Sequence, residues 1–159
     1  MRGKSIVISL AVVLVGIVTL SAPAFAQDNW VGTWKVNLAK SKYSPGPAPK
    51  SATIKFEPTQ GSIKLTSDGV NGEGKPTHQE YISKFDGKDV PFKGNPDADT
   101  ASPRRIDANS FENVWKKDGK PTITSKVVVS KDGKTLTNTQ TGKDAGGHTV
   151  NSTIVYEKQ

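Results

Sequence analysis

The chain has 159 residues, of which 33% are hydrophobic and 23% are charged, with a formal net charge of +7. This length is that of a single domain. The chain contains no cysteine, which excludes a disulfide framework, a zinc ribbon and a thiol nucleophile. It has only two histidines, which argues against a histidine-rich metal site. Composition therefore bounds the chemistry without naming a reaction or a ligand.

The first 26 residues have the three parts of a secretory signal. Arg2 and Lys4 form a positively charged start, residues 6–20 are an apolar run, and the Ala-Phe-Ala of residues 24–26 provides a cleavage site. The apolar run is shorter than the roughly 20 residues that a membrane-spanning helix needs. We therefore expect export to a periplasm or out of the cell, with Gln27 as the first mature residue and no transmembrane segment after cleavage.

Residues 27–159 form the single predicted domain. Removal of the signal takes away two basic residues and no acidic one, so the net charge falls from +7 to +5. The lysines are scattered, and Arg104-Arg105 is the one arginine cluster. Dispersed lysine on strand faces is typical of a solvated surface that also protects sheet edges from pairing. We therefore do not expect nucleic-acid binding, and the oligomeric state stays open.

Short alternating segments separated by turns recur throughout the predicted domain. Residues 52–57 and 81–85, for example, alternate apolar and polar side chains as half-buried strands do. Asp-Gly dipeptides, which favour hairpin turns, occur at 68–69, 86–87, 118–119 and 132–133. About ten strands are predicted, with starts near Trp34, Ala52, Ser62, Thr77, Lys88, Ser102, Phe111, Thr122, Thr135 and Thr149.

Hairpins in unbroken succession indicate an all-β, antiparallel up-and-down meander. Such a meander hides its edges most simply by closing into a β-barrel, and a β-sandwich is the alternative. The proline-rich residues 44–49 are predicted to form an extended loop at the rim of the barrel.

The same alternation turns polar side chains toward the interior on most strands. A packed core does not accept such groups without partners. Either the barrel encloses a partly wet cavity suited to a small amphipathic ligand, or these groups lie near open ends of short strands. The polar positions concerned are Ser67, Ser83, Asn113, Ser125, Asn138, Gln140 and Ser152.

Two segments carry a resemblance to known proteins. Residues 30–36 (Trp-Val-Gly-Thr-Trp-Lys-Val) resemble the first-strand signature of the calycin superfamily, which comprises the lipocalins and the fatty-acid-binding proteins. Residues 155–158 (Val-Tyr-Glu-Lys) resemble the last strand of the fatty-acid-binding proteins. The whole predicted domain looks similar to small secreted bacterial proteins of unassigned function. The resemblance implies a lipocalin-like barrel in which Trp34 plugs one end.

The resemblance also bears on the ligand. Fatty-acid-binding proteins commonly hold the ligand carboxylate with an arginine two residues before the last-strand tyrosine. In this chain Ile154 occupies that position, so only Tyr156 of the pair matches. If any residue replaces the arginine, we expect it to be Arg104 or Arg105, paired with Asp107 or with an acidic group of the ligand.

The leading hypothesis is an exported, non-catalytic barrel that binds a small apolar or amphipathic molecule in its interior, without a metal or cofactor. Two alternatives remain: an envelope-associated interaction protein with a filled barrel that acts through its basic surface, and an enzyme on a calycin scaffold. The candidate ligand-binding residues are Tyr81, Phe85, Arg104, Trp115 and Tyr156.

Other polar features are interpreted as structural. His78 and His148 lie beside turn sequences and are predicted to be exposed. The oxygen-rich residues 95–100 are consistent with a weak calcium site, but Asx-turn chemistry explains them as well. The sequence has no nucleophile elbow, phosphate loop or zinc-protease helix.

Overall fold

A computed structural model describes residues 28–159, so the predicted signal at residues 1–26 lies outside the described residues. A single turn of 3-10 helix, Leu38–Lys40, follows the first strand. Within the described part of the chain, no helix has both the length and the hydropathy needed to span a membrane. The strands are β1 (Gly32–Val36), β2 (Ser51–Pro58), β3 (Ile63–Val70), β4 (Pro76–Ser83), β5 (Val90–Pro91), β6 (Thr100–Asp107), β7 (Ser110–Lys117), β8 (Lys120–Val129), β9 (Thr135–Lys143) and β10 (Thr149–Lys158).

All ten strands belong to one antiparallel sheet with the order β4-β3-β2-β1-β10-β9-β8-β7-β6-β5. Strands that follow one another in the sequence are therefore paired in the sheet, except β4 and β5, and β1 pairs with β10 to join the two ends of the meander. The predicted up-and-down meander of about ten strands is confirmed. Because a sandwich would need two sheets, the alternative β-sandwich is wrong.

The sheet curls into a nearly closed barrel, and its seam lies between β4 and the short strand β5. Two backbone hydrogen bonds cross this seam between Glu80 and Lys93, with N···O distances of 3.1 and 3.0 Å. Next to them, the amide of Asn95 donates to the side-chain oxygen of Gln79 at 3.2 Å. These contacts cover part of both sheet edges, which would otherwise expose unpaired backbone groups.

The Asp-Gly dipeptides explain some of the connections but not all. Asp118 and Gly119 form a two-residue turn between β7 and β8, with φ angles of 49° and 73°, as a primed hairpin turn requires. The prediction of a turn at 68–69 is wrong, because Gly69 lies within β3. A Cβ at this position would overlap the carbonyl oxygen of Ser51, so this glycine permits a close approach of two strands.

One end of the barrel is closed by aromatic side chains. Trp30 and Trp34 are fully buried there, and the indole nitrogen of Trp34 donates to the carbonyl of Trp30 at 2.9 Å. The ring of Trp30 also packs against Phe56, Phe85 and Phe111, with centroid separations of 5.6, 4.7 and 5.1 Å. Trp34 thus has the structural position that the resemblance implies, and we call this group of five rings the aromatic floor.

An ion pair between the buried Asp28 and the partly exposed Arg105 fixes the segment that carries Trp30. The carboxylate of Asp28, whose side chain is completely buried, accepts from Arg105 Nε at 2.8 Å and lies 2.8 Å from the terminal guanidinium nitrogen. Burial raises the pKa of Asp28, and the guanidinium opposes that shift. The pair therefore ties the start of the described chain to β6 across the closed end.

The seam gives a direct test of how the barrel closes. A Cβ at Gly94, where φ is 74°, would overlap the carbonyl oxygen of His78 on β4. At Gly133 φ is 69°, but an added Cβ meets nothing within 4 Å. We expect Gly94→Ala to lose about 1–3 kcal/mol more free energy of unfolding than Gly133→Ala, as overpacking does. Urea denaturation measures both losses, and equal losses would show that the seam is not closely packed.

Candidate ligand-binding cavity

The barrel encloses a cavity of about 720 Å³ above the aromatic floor. Phe56 and Phe111 of the floor form its base, and the proline-rich loop between β1 and β2 borders its mouth through Pro47 and Pro49. This volume lies within the range of roughly 300–1,000 Å³ that is typical of small-molecule sites. The interior is therefore not filled by side chains, which contradicts the filled barrel of the alternative interaction-protein hypothesis.

Three polar side chains on neighbouring strands form a row on one wall of the cavity: Asn113 on β7, Ser125 on β8 and Asn138 on β9. Asn113 and Ser125 are direct cross-strand partners, and the Ser125 hydroxyl donates to the Asn138 side-chain oxygen at 2.8 Å. Ile54 on β2 and Leu65 on β3 line the cavity from strands about halfway round the ring. The cavity therefore offers a polar and an apolar contact surface on different parts of its wall.

Several buried polar atoms on the cavity wall have no hydrogen-bond partner in the protein. They are the hydroxyls of Tyr43 and Tyr81, the indole nitrogen of Trp115 and the side-chain oxygen of Asn113. Tyr81 and Asn113 are each only 3% exposed. Buried polar groups in proteins are almost always hydrogen-bonded, so four such atoms around one cavity indicate a place that a polar ligand group completes.

Two of the residues that carry these atoms, Tyr81 and Trp115, pack against the same aromatic ring. The ring of Phe92 packs edge-on against Tyr81 at 5.3 Å and against Trp115 at 5.5 Å. Phe92 follows the short strand β5, so the seam places Tyr81 of β4 and Trp115 of β7 on either side of one ring. This contact fixes both polar side chains at the cavity wall.

The cavity wall carries little charge. In residues 28–159, neither a lysine nor an arginine lines the cavity. Asp97 lies at the mouth, where its carboxylate accepts the backbone N–H of Ala145 at 3.1 Å. His78 also borders the mouth, and its exposed side chain lies 2.6 Å from the carboxylate of Asp68.

Both interpretations of the inward polar positions hold, each for different residues. Ser67, Asn113, Ser125, Asn138 and Gln140 line the cavity, as the wet-cavity interpretation predicts. Ser83 is the last residue of β4 and therefore lies at a strand end, as the other interpretation predicts, whereas Ser152 lies within β10 beside the loop between β1 and β2. The Ser83 hydroxyl accepts the N–H of Phe85 at 2.9 Å, and that of Ser152 accepts the N–H of Ser44 at 3.0 Å.

Three of the five candidate residues, Tyr81, Trp115 and Tyr156, line the cavity. Phe85 is buried but lies in the aromatic floor, below the lining. Its φ of 55° breaks the strand alternation on which its assignment rested. The placement of Arg104 in the lining is wrong: this residue is exposed on the outer face, 3.5 Å from Glu112.

The hypothesis that Arg105 pairs with Asp107 or with an acidic group of the ligand is also wrong. It lies in register with the inward-facing Phe111, but at the closed end, and its partner there is Asp28 instead of Asp107 or a ligand. A separation of 77 residues hides this pair from sequence reasoning. Tyr43 and Phe92 also escaped prediction, because they stand in a loop and beside a two-residue strand, where no alternation exists to reveal a facing.

The oxygen-rich loop is held by its own hydrogen bonds. The Asn95 side chain accepts the N–H of Asp97 at 2.8 Å, which is the expected Asx turn. Asp99 accepts the N–H of Asp118 at 2.9 Å. His148 is exposed, as predicted, and contacts Asp144 at 3.0 Å. Among residues 28–159, no cluster of three or more histidine, aspartate or glutamate side chains is arranged to hold a metal ion.

Comparison with protein-family models and with curated proteins finds no match. Among solved structures, the chain is similar to the zebrafish ileal bile acid-binding protein complexed with cholic acid. The two share 11% sequence identity with a TM-score of 0.48, over 82% of this chain and 98% of the other. Cholic acid is the ligand of that complex, and an identity this low transfers no ligand.

All three tyrosines of the chain line the cavity, which gives a pH test. Burial raises the pKa of Tyr43, Tyr81 and Tyr156 above the ordinary tyrosine value. We therefore expect little phenolate absorbance near pH 10, the value at which free tyrosine is half ionised. Because an unfolded chain releases these protons first, the stability from the neutral tyrosines is present below about pH 10 and is lost as the pH rises further.

Ultraviolet titration of the folded protein, with the urea-unfolded protein as control, measures this shift. Half of the full phenolate signal at about pH 10, with circular dichroism still native, would contradict the burial of the three side chains.

Proposed function

We propose that this protein is an exported, non-catalytic β-barrel that binds a small amphipathic molecule in its interior. The observation that carries the proposal is a cavity of about 720 Å³ in which buried polar atoms of Tyr43, Tyr81, Asn113 and Trp115 lack protein partners. An apolar molecule with a polar group would cover Ile54 and Leu65 and could form hydrogen bonds with polar atoms of this set.

The division of the barrel into floor and cavity supports this use. The aromatic floor closes one end and packs tightly, so it supplies stability without occupying the cavity. At the other end, the mouth is bordered by the loop that contains Pro47 and Pro49 and by the loop that contains Pro96. Loops on a rigid scaffold commonly carry binding functions, and these two lie where a ligand would enter.

The chemistry of the lining favours binding over catalysis. General acid-base catalysis needs a titratable group positioned toward the substrate, with a pKa near the working pH. The tyrosines of the lining have raised pKa values because of burial. At the mouth, Asp97 already accepts from the N–H of Ala145, and His78 is engaged with Asp68.

Export is a separate part of the proposal, supported by the sequence of residues 1–26. The positive start, the apolar run and the Ala-Phe-Ala cleavage site support release into a periplasm or the medium. The intact mass of protein recovered from an export-competent host is expected to place the first residue at Gln27.

A substitution that occupies the cavity tests the binding site. Ser67 lines the cavity on β3, whereas its neighbour Thr66 alternates to the outer face. We expect Ser67→Trp to weaken the binding of the neutral dye Nile red by about tenfold or more, because an indole ring would take up space that the dye needs. Titration of dye fluorescence measures the affinity.

Thr66→Trp is the matched control and is expected to bind Nile red as the unmodified protein does. Equal affinities of the two variants would place the dye outside the barrel. Failure of the unmodified protein to bind Nile red or any other neutral amphipathic probe would contradict the proposed function itself.

A further inference from the structure

The positions of the basic side chains bear on the charge of the ligand. Lysines and arginines are abundant on this protein, yet within the described residues none reaches the cavity wall. Arg104 contacts Glu112 on the outer face, Arg105 contacts Asp28 at the closed end, and Lys116 contacts Asp89 at 2.7 Å. The excess positive charge of the chain is therefore a property of its outer surface.

A carboxylate would have no counter-ion inside this barrel. Burial of an ionised group costs a large amount of free energy unless a charge or several strong hydrogen bonds compensate it. The carboxylate of the lining, on the half-buried Asp97 at the mouth, has the same sign as a carboxylate ligand. Both effects disfavour an anionic ligand.

The unpartnered atoms of the wall match an uncharged polar group instead. The Trp115 indole can only donate, the Tyr81 hydroxyl can donate or accept, and the Asn113 side-chain oxygen can accept. A hydroxyl group makes both kinds of hydrogen bond, and a carbonyl accepts from the donors. Neither group brings a charge that the wall would have to neutralise.

We infer that the cavity selects uncharged ligands carrying a hydroxyl or carbonyl group over carboxylates with the same apolar chain. This inference rests on the proposed function and specifies the class of its ligand.

Competition between two matched probes tests the inference. Decanol and decanoate share an apolar chain and differ in the charge of one end, and each is titrated at neutral pH against bound Nile red. We expect decanol to displace the dye at a concentration at least about tenfold lower than decanoate, because only decanoate carries an uncompensated charge into the barrel. Decanoate that competes as well as decanol, or better, overturns the inference and leaves the proposed function standing. If decanol does not displace bound Nile red, the inference fails. If neither Nile red nor any other neutral amphipathic probe binds, the proposed function fails, and the inference fails with it.

A charge placed inside the cavity should shift the selectivity toward the carboxylate. Gln140 lines the cavity on β9, and the neighbouring Thr139 is exposed on the outer face. Relative to Thr139→Arg, we expect Gln140→Arg to shift the ratio of the two affinities toward decanoate by about fivefold or more, since a charge-assisted hydrogen bond becomes available. An unchanged ratio in folded Gln140→Arg protein contradicts the inference, and the test on the unmodified protein does not depend on this variant.

Removal of the Tyr81 hydroxyl tests whether this group forms a hydrogen bond with the polar group of the ligand. Tyr81→Phe keeps the ring that packs on Phe92 and deletes an oxygen that has no protein partner. We expect the variant to melt no lower than the unmodified protein and to bind decanol about 3- to 10-fold more weakly, the value of one hydrogen bond. A decanol affinity equal to that of the unmodified protein shows that Tyr81 does not contact the polar group.

Discussion

Closure of ten strands into one ring is the constraint on which the rest of this structure depends. About eight strands leave an interior that side chains alone can fill, and each added strand widens it. The ring closes at a narrow seam, where Glu80 and Lys93 exchange backbone hydrogen bonds and Gly94 passes close to β4. Because the strand number sets the width, small residues such as Ser67 and Ser125 on the inner face leave space that larger ones would have occupied.

Stability and an open interior place opposite demands on the barrel, because a packed core leaves no space for a ligand. The two are located at different positions along the barrel axis. Aromatic rings fill the closed end, where Trp30 packs against three phenylalanines and is held in place by the Asp28–Arg105 ion pair. Polar side chains without partners occur higher up, on the cavity wall. Each such group costs free energy in the empty protein, and a ligand with a matching polar group recovers that cost. The unpartnered polar groups of the cavity wall therefore favour the binding of such a ligand.

Much of the fold was predictable because alternation on a half-buried strand has a period of two. It gave the number of strands, the turn at Asp118-Gly119, and the inward facing of Asn113 and Ser125. The same rule indicated Tyr81 and Trp115 as lining residues. A local rule is sufficient wherever the neighbours in space are also neighbours in sequence, as they are in an up-and-down meander.

The errors occur where the backbone or a distant partner departs from that rule. Phe85 has a positive φ and enters the aromatic floor from outside the regular strand. Arg105 faces inward by register, but it pairs with Asp28, which lies 77 residues away. Gly69 looks like part of a turn in the sequence and instead permits the close approach of two strands. Tertiary contacts decide each of these positions, and no periodicity records them.

The central claim is that the interior holds a small uncharged amphipathic molecule. Its most direct test compares native with denaturing mass spectrometry of protein purified gently after export. The account predicts a reproducible added mass under native conditions that is lost on denaturation and belongs to a molecule without a carboxylate. A mass equal to that of the bare chain, unchanged after incubation with a broad extract of lipids and metabolites, would contradict it.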